Sequence, residues 1–276
     1  MAAITRILPK NHLSYIVGLL VHFRLPRFIW TPFIKIFAKA YHINLEEAEK
    51  AVEEYPTLGE FFIRKLKPGL RPIGRTWAVH PADSVITQAA IMTDGKLIQA
   101  KDKTYNIKEF TGFDGALDIY TDGQFLTYYL CPTDYHRVHS PVDGVIERVV
   151  HLPGALWPVN TWSTSNIDEL FSINERVYVE IRTDRGLVGV VFVAATNVGD
   201  IALSFDPEIR GNKFKYNKQF IKTYKDKHVQ KGDELGMFRM GSTIVMLYQK
   251  GVLGLQNSQL EQFHTKSVRV NSDFAN

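Results

Sequence analysis

The feature that most constrains this chain is a change of texture near Val79. Beyond it come short segments rich in β-branched and aromatic residues: 123–130, Arg176–Arg182, Leu187–Ala194 and Ser242–Tyr248. Pairs such as Asp143-Gly144 and Pro153-Gly154 punctuate them. Runs of that length between turn pairs read as strands. Before Val79 the spacing is helical. Leu13, Ile16, Val17 and Leu20 fall at i, i+3, i+4 and i+7, and Phe33, Ile36, Phe37 and Ala40 repeat it. Pro26 and Pro32 are expected to divide this region into separate short helices. Residues 44–55 read as a further helix, capped by Asn44 with Glu46 and Glu47 in its first turn. The expected class is α+β: N-terminal amphipathic helices, then a mainly antiparallel β body. Pro81-Ala82-Asp83-Ser84-Val85-Ile86 is similar to Pro141-Val142-Asp143-Gly144-Val145-Ile146, and each reads as a turn feeding a strand. Residues 229–236 are similar to the turn of lipoyl carrier domains, which points to a sandwich- or barrel-like, lipoyl-like body. A carrier role itself fails, because no exposed lysine hairpin accompanies that turn.

At 276 residues with 45% hydrophobic content, the chain is long enough for a sizeable core. Its single cysteine, Cys131, excludes an internal disulfide framework and is expected to be a small buried hydrophobe. Residues 1–10 hold no leader-like apolar run, and no segment reaches the ~20 apolar residues of a span. The net charge is +4, yet no arginine-rich cluster or nucleic-acid motif stands out. An anionic membrane is the better partner. Arg24, Arg27, Lys35 and Lys39 interleave with Phe28 and Trp30, a composition suited to the headgroup layer.

Two stretches could carry chemistry. Asp134-Tyr135-His136-Arg137-Val138-His139 places two histidines three residues apart. Zinc lacks a third ligand at a recognised spacing, whereas proton transfer needs only an imidazole that titrates near neutrality. Met240-Gly241-Ser242-Thr243 precedes an apolar run. Ser242 could be a nucleophile, with His139 as its base and Asp83 orienting that base. Without Gly-x-Ser-x-Gly, a hydrolase elbow is not supported.

Across nearly its whole length the sequence resembles the bacterial, membrane-associated phosphatidylserine decarboxylases. The similarity runs in order through Glu60-Phe61-Phe62-Ile63-Arg64, Lys67-Pro68-Gly69-Leu70-Arg71-Pro72-Ile73, and Pro81-Ala82-Asp83 with Ser84 where glycine is usual. It continues through residues 134–141, Pro153-Gly154, Val159-Asn160, Asn174-Glu175-Arg176, residues 195–199, and Met240-Gly241-Ser242-Thr243 where leucine usually leads.

The resemblance implies a self-processing proenzyme. Ser242 attacks the Gly241 carbonyl, and the chain splits between 241 and 242 into residues 1–241 and 242–276, which stay associated. Ser242 becomes a pyruvoyl group, the cofactor that forms a Schiff base with phosphatidylserine. His139 is the base for processing, Asp83 its anchor, and His136 the proton donor in decarboxylation. Residues 1–75 would associate with the membrane and residues 76–276 carry catalysis. The implied location is peripheral, on the cytoplasmic face of the bacterial inner membrane, and a homodimer is left open. For the lipid phosphate, Arg137, Lys213 and Lys215 are available cations. The competing readings are a serine hydrolase that uses Ser242, His139 and Asp83 without self-cleavage, and a non-enzymatic membrane-binding module.

Overall fold

The computed structural model describes residues 10–100, 103–196, 200–211, 218–239 and 242–276. Helices α1 (Lys10–His22) and α2 (Arg27–Ala40) come first. Pro32, expected to divide them further, lies inside α2. It removes one ladder bond, to the Phe28 carbonyl. The helix continues because Trp30, Ile34 and Ala38 seat it in a small core with Ile43, Val52, Tyr55 and Phe61. Trp30 is thus a core residue rather than a headgroup anchor, and its indole N–H donates to the Phe23 carbonyl at 2.9 Å.

Residues 44–55 are not the expected helix. They form two 3-10 turns, Leu45–Glu47 and Val52–Glu54. The Asn44 cap is present, its side chain accepting the Glu46 N–H at 3.0 Å. Nearby backbone groups pair across the chain instead: Glu49 N–H donates to Lys65 O, and Lys67 N–H to Glu47 O. Those bonds satisfy groups that a continuous helix would have needed. A short helix, α3 (Leu58–Phe62), capped by Thr57, packs on both α1 and α2.

The β body begins with β1 (Ala78–Val79), which pairs with the final strand, β15 (Asp273–Ala275). Its main sheet is antiparallel, in the spatial order β11 (Phe220–Val229), β7 (Gly144–Leu152), β8 (Arg176–Arg182), β9 (Leu187–Ala194), β13 (Ser242–Tyr248), β5 (Gln124–Leu130), β2 (Ser84–Ile91) and β14 (Ser267–Val268). A three-stranded sheet runs β10 (Ile201–Leu203), β12 (Glu234–Phe238), β6 (Arg137–His139). A hairpin joins β3 (Lys96–Ala100) to β4 (Lys103–Asn106). The expected barrel is not closed among the described residues, because β11 and β14 end the main sheet as open edges.

Both faces of the main sheet are covered, which is why β9 and β13 read as unbroken apolar runs. Ile244, Met246 and Tyr248 join a core to which the smaller sheet adds Val138, Leu203, Leu235 and Phe238. Val245 and Leu247 face the opposite core, which the hairpin and short helices complete with Leu97, Tyr105, Phe110 and Tyr120.

One buried amide ties the loop after β7 to the end of β9. Asn174 Nδ2 donates to Trp157 O at 3.0 Å and Ala194 O at 2.9 Å, while its Oδ1 accepts the Trp157 N–H at 3.0 Å. Gly154 fits below it because a Cβ there would lie 2.5 Å from Ile173 O. Asn174→Ala strands buried backbone groups, so it should lower unfolding stability by about 2–4 kcal/mol. Urea denaturation measures this.

Candidate active site

Three backbone features position the sequence-predicted residues. The first is the turn after β5. Asp134 N–H donates to Cys131 O at 2.9 Å, and Cys131 N–H donates to the Asp134 carboxylate at 2.7 Å. Cys131 in that turn is half-buried rather than the buried hydrophobe expected, and burial raises its thiol pKa. The second is the antiparallel pairing of β6 with β12, which sets Arg137 opposite Met237 and His139 opposite Glu234. The third is β13. Position 242 shares its register row with Leu130 of β5 and Ala194 of β9.

His136 is fully buried, its ring 4.1 Å from that of Phe62 on α3. Nδ1 lies 2.9 Å from Asp134 O. A carbonyl can only accept, so Nδ1 carries the proton and Nε2 holds a lone pair. Nε2 has no hydrogen-bond partner among the described residues. Burial, with a contribution from Arg64, pushes the ring down to about 3, so it is neutral near pH 7. Arg64 is itself buried and donates to Thr133 O and Asp134 O. His136 O accepts the Phe238 N–H at 3.0 Å, four residues before Ser242.

His139 is half-buried. Its Nδ1 donates to Gly232 O at 2.7 Å, so Nε2 is the basic nitrogen, and it accepts from the Tyr135 hydroxyl at 3.2 Å. Its own N–H donates to Pro81 O at 2.9 Å, which brings it beside the segment that carries Asp83.

Asp83 is buried and belongs to a charge cluster. Arg71 holds it with a fork, Nε at 3.1 Å from Oδ1 and a terminal nitrogen at 2.7 Å from Oδ2. Arg71 also bonds Glu47 at 2.8 Å. Val270 N–H donates to Asp83 at 2.8 Å, and Arg269 approaches to 3.4 Å. The carboxylate therefore meets Arg71, Arg269 and Val270 rather than the His139 ring, which Gly232 O orients instead. Ser84, where glycine is usual, is accommodated at the start of β2 without a left-handed backbone.

Of the predicted residues, Asp83, His136 and His139 thus lie on neighbouring segments. The backbone of Ser242 opens β13, paired with Leu130 and Ala194. Gly241 lies outside the described residues, as do Met240, residues 197–199, Lys213 and Lys215. Arg137, the remaining candidate cation, is taken: it bonds Ile63 O at 2.9 Å and Glu234 at 2.7 Å. Sequence reasoning missed the parts played by Arg64, Arg71, Tyr135 and the Gly232 carbonyl. Arg64 and Arg71 stand inside the N-terminal motif, but their partners are distant in sequence.

The family described as phosphatidylserine decarboxylase matches residues 58–276. The chain belongs to the phosphatidylserine decarboxylase family. Relatives named phosphatidylserine decarboxylase proenzyme span nearly the full length. One from Myxococcus xanthus is 38% identical over 88% of this chain and 87% of its own length. One from Anaeromyxobacter sp. strain K is 37% identical over 89% and 88%, and one from Vibrio cholerae is 38% identical over 91% and 90%. The two histidines and Asp83 thus lie in the region matched by the decarboxylase family.

Acid should destabilise this member of the family. Burial holds His136 at about 3 and His80 at about 4 in the folded chain, against an ordinary 6.5. Unfolded, both rings take up protons below about pH 6.5, so their contribution to stability is full above that value and declines as pH falls toward 4. Asp134, pushed up to about 6 mainly by burial, opposes this, since the folded chain holds its proton more tightly. Two histidines against one aspartate leave a net loss. Urea midpoints between pH 7 and 4.5 should fall, and His136→Gln should flatten the slope.

Proposed function

We infer that this chain is made as a proenzyme, cuts itself between Gly241 and Ser242, and converts phosphatidylserine to phosphatidylethanolamine with release of carbon dioxide. The observation that carries the reading is His136: fully buried, neutral, with an Nε2 that has no partner among the described residues, and a carbonyl hydrogen-bonded to the strand that leads to Ser242. The setting suits a pyruvoyl group at 242. A new N-terminus there would begin a strand paired on both sides, so residues 242–276 would stay bound to residues 1–241 after the cut. A pyruvoyl group at that position supplies a carbonyl that draws electrons as the carboxyl bond breaks.

The remaining roles fall to side chains of this chain. His139 Nε2 is the basic atom that takes the Ser242 hydroxyl proton during processing. Asp83 keeps negative charge beside it, held by Arg71. His136 cannot donate at first, because its Nδ1 proton is committed to Asp134 O and its Nε2 is bare. It must first take up a proton from solvent at Nε2, a charge that the carboxylate of a bound lipid would favour against burial. It would then give that proton to the carbon that lost carbon dioxide.

The substrate lies in a bilayer, and the N-terminal region suits one. Ile16, Leu20, Phe33 and Ile36, four members of the stripes read from the sequence, are each more than half exposed, and Phe28 is 77% exposed. Exposed Arg24, Arg27 and Lys39 accompany them. No helix among the described residues is long and apolar enough to cross a membrane. Residues 1–75 thus act as a peripheral docking region, and residues 76–276 as the catalytic body. The cytoplasmic face of the inner membrane, where anionic lipids attract basic residues, is the surface it would meet.

Ser242→Ala should give one uncut, inactive band on a denaturing gel. His139→Ala should slow cutting at least about a hundredfold, on the scale of a lost general base. His136→Ala should cut yet release no carbon dioxide. A wild-type chain that remains uncut while hydrolysing esters would instead support the serine hydrolase. Phe28→Ser with Ile36→Ser should weaken sedimentation with anionic vesicles about tenfold or more, given roughly 1.5–3 kcal/mol per large apolar side chain removed from water. Their thermal midpoint should not move.

A further inference from the structure

Arg64 takes no part in the roles above, yet its placement is costly. The side chain is 5% exposed, and it makes no ion pair among the described residues. Its Nε and one terminal nitrogen, Nη1, have no hydrogen-bond partner there. Asp83, Glu47 and Asp134 attract it only at a distance. The guanidinium lies 5.3 Å from the centre of the Phe61 ring. A buried cation without a carboxylate loses its hydration for little return. Were packing its only task, an apolar side chain of similar length would serve at lower cost.

What Arg64 does have is one bonded nitrogen in a particular place. Nη2 donates to Thr133 O at 3.1 Å and to Asp134 O at 3.4 Å. Asp134 O is also the acceptor of the His136 Nδ1 proton. The guanidinium and the imidazole therefore share one carbonyl oxygen, which has two lone pairs to offer. Cys131 closes the same turn from within, through its bonds to the Asp134 N–H and carboxylate. The Arg64 N–H donates to Phe61 O at 3.0 Å, which fixes the residue to the end of α3. Phe62 of that helix covers the His136 ring. One short segment thus supplies both the cover of the ring and the clamp on the carbonyl that orients it.

The carbonyl decides which nitrogen of His136 carries the proton. If the peptide after Asp134 turned away, Nδ1 would lose its acceptor and the proton could sit on Nε2 instead. The charged groups that act on the ring are few. Arg64 opposes a second proton, and Asp83 and the Asp134 carbonyl favour one. β12 presents only the Phe238 N–H, bonded to the His136 carbonyl.

We propose that Arg64 is a positioning residue for decarboxylation: it clamps the Thr133 and Asp134 carbonyls so that His136 keeps its proton on Nδ1 and presents a bare Nε2. The proposal deepens the decarboxylase reading above and rests on it for the reaction, though not for the tautomer.

The test uses the full-length chain as Arg64→Met, which keeps length without charge, and Arg64→Lys, which keeps charge. Both should cut themselves to completion, since cutting is assigned to His139. Arg64→Met should lower kcat about tenfold or more with KM changed less than about twofold, the pattern of a disturbed proton donor rather than of lost binding. Activity needs the proton on Nε2, so it falls as pH rises through the pKa of the bound enzyme. Removing a neighbouring cation raises that pKa, and the alkaline limb of kcat should move up by about one pH unit. Arg64→Lys should leave the limb in place and recover part of kcat. Nitrogen-15 spectra of histidine-labelled protein without substrate, with His136 assigned from its absence in His136→Gln, give a second readout. The wild type should show a single tautomer protonated at Nδ1, and Arg64→Met a mixture. Arg64→Gln, which can still donate to one carbonyl, replaces the methionine variant if that one does not fold. Equal losses of kcat in the neutral and lysine variants, with an unmoved limb and an unchanged tautomer, reduce Arg64 to packing and overturn the proposal. So does a wild-type ring protonated at Nε2. A wild type that releases no carbon dioxide overturns the decarboxylase reading instead, and the spectra still decide the clamp.

Discussion

The structure depends on β13 being held from both sides. All seven of its residues pair with β5 on one side and β9 on the other. Its alternate residues feed two separate cores, so its removal would open both. A strand of this kind tolerates a break at its first residue, since nothing upstream is needed to keep it in register. The same rigidity fixes position 242 against Leu130 and Ala194, and from Leu130 the Asp134 turn leads directly to His136. Preorganisation of this sort is what chemistry at a strand end requires.

A second constraint is electrostatic. Buried Asp83 carries a charge that would be costly alone. Arg71 from the N-terminal region and Arg269 with Val270 from the last segment neutralise it. Glu47 closes the cluster from the 3-10 turn. Three distant parts of the chain therefore meet at one carboxylate. The small core of Trp30, Ile34 and Phe61 is joined to the β body there, and again where Phe62 lies on His136.

Much of this was legible before any coordinates. Strands β8, β9 and β13 match their sequence readings because β-branched runs between turn pairs leave few alternatives. The misses share a cause. Residues 44–55 had a cap and acidic first turn, but the backbone of 65–67 competed for their hydrogen bonds. Pro32 was outweighed by the packing of Trp30, Ile34 and Ala38. Of the two apolar stripes, spacing could not say that Ile16, Leu20, Phe33 and Ile36 face outward while Phe37 packs on the small core.

By itself the sequence determined which residue types stand where: the two histidines, Asp83, the Gly-Ser pair and the order of motifs that marks the family. Those follow from local spacing and chain order. The tertiary structure alone decided that His136 is the buried, neutral ring and His139 the half-exposed one, although they stand three residues apart on one segment. It also decided that Arg137 is occupied by Glu234. Burial and pairing depend on neighbours brought from far along the chain, such as Phe62, Gly232 and Glu234. No pattern within a few residues encodes them.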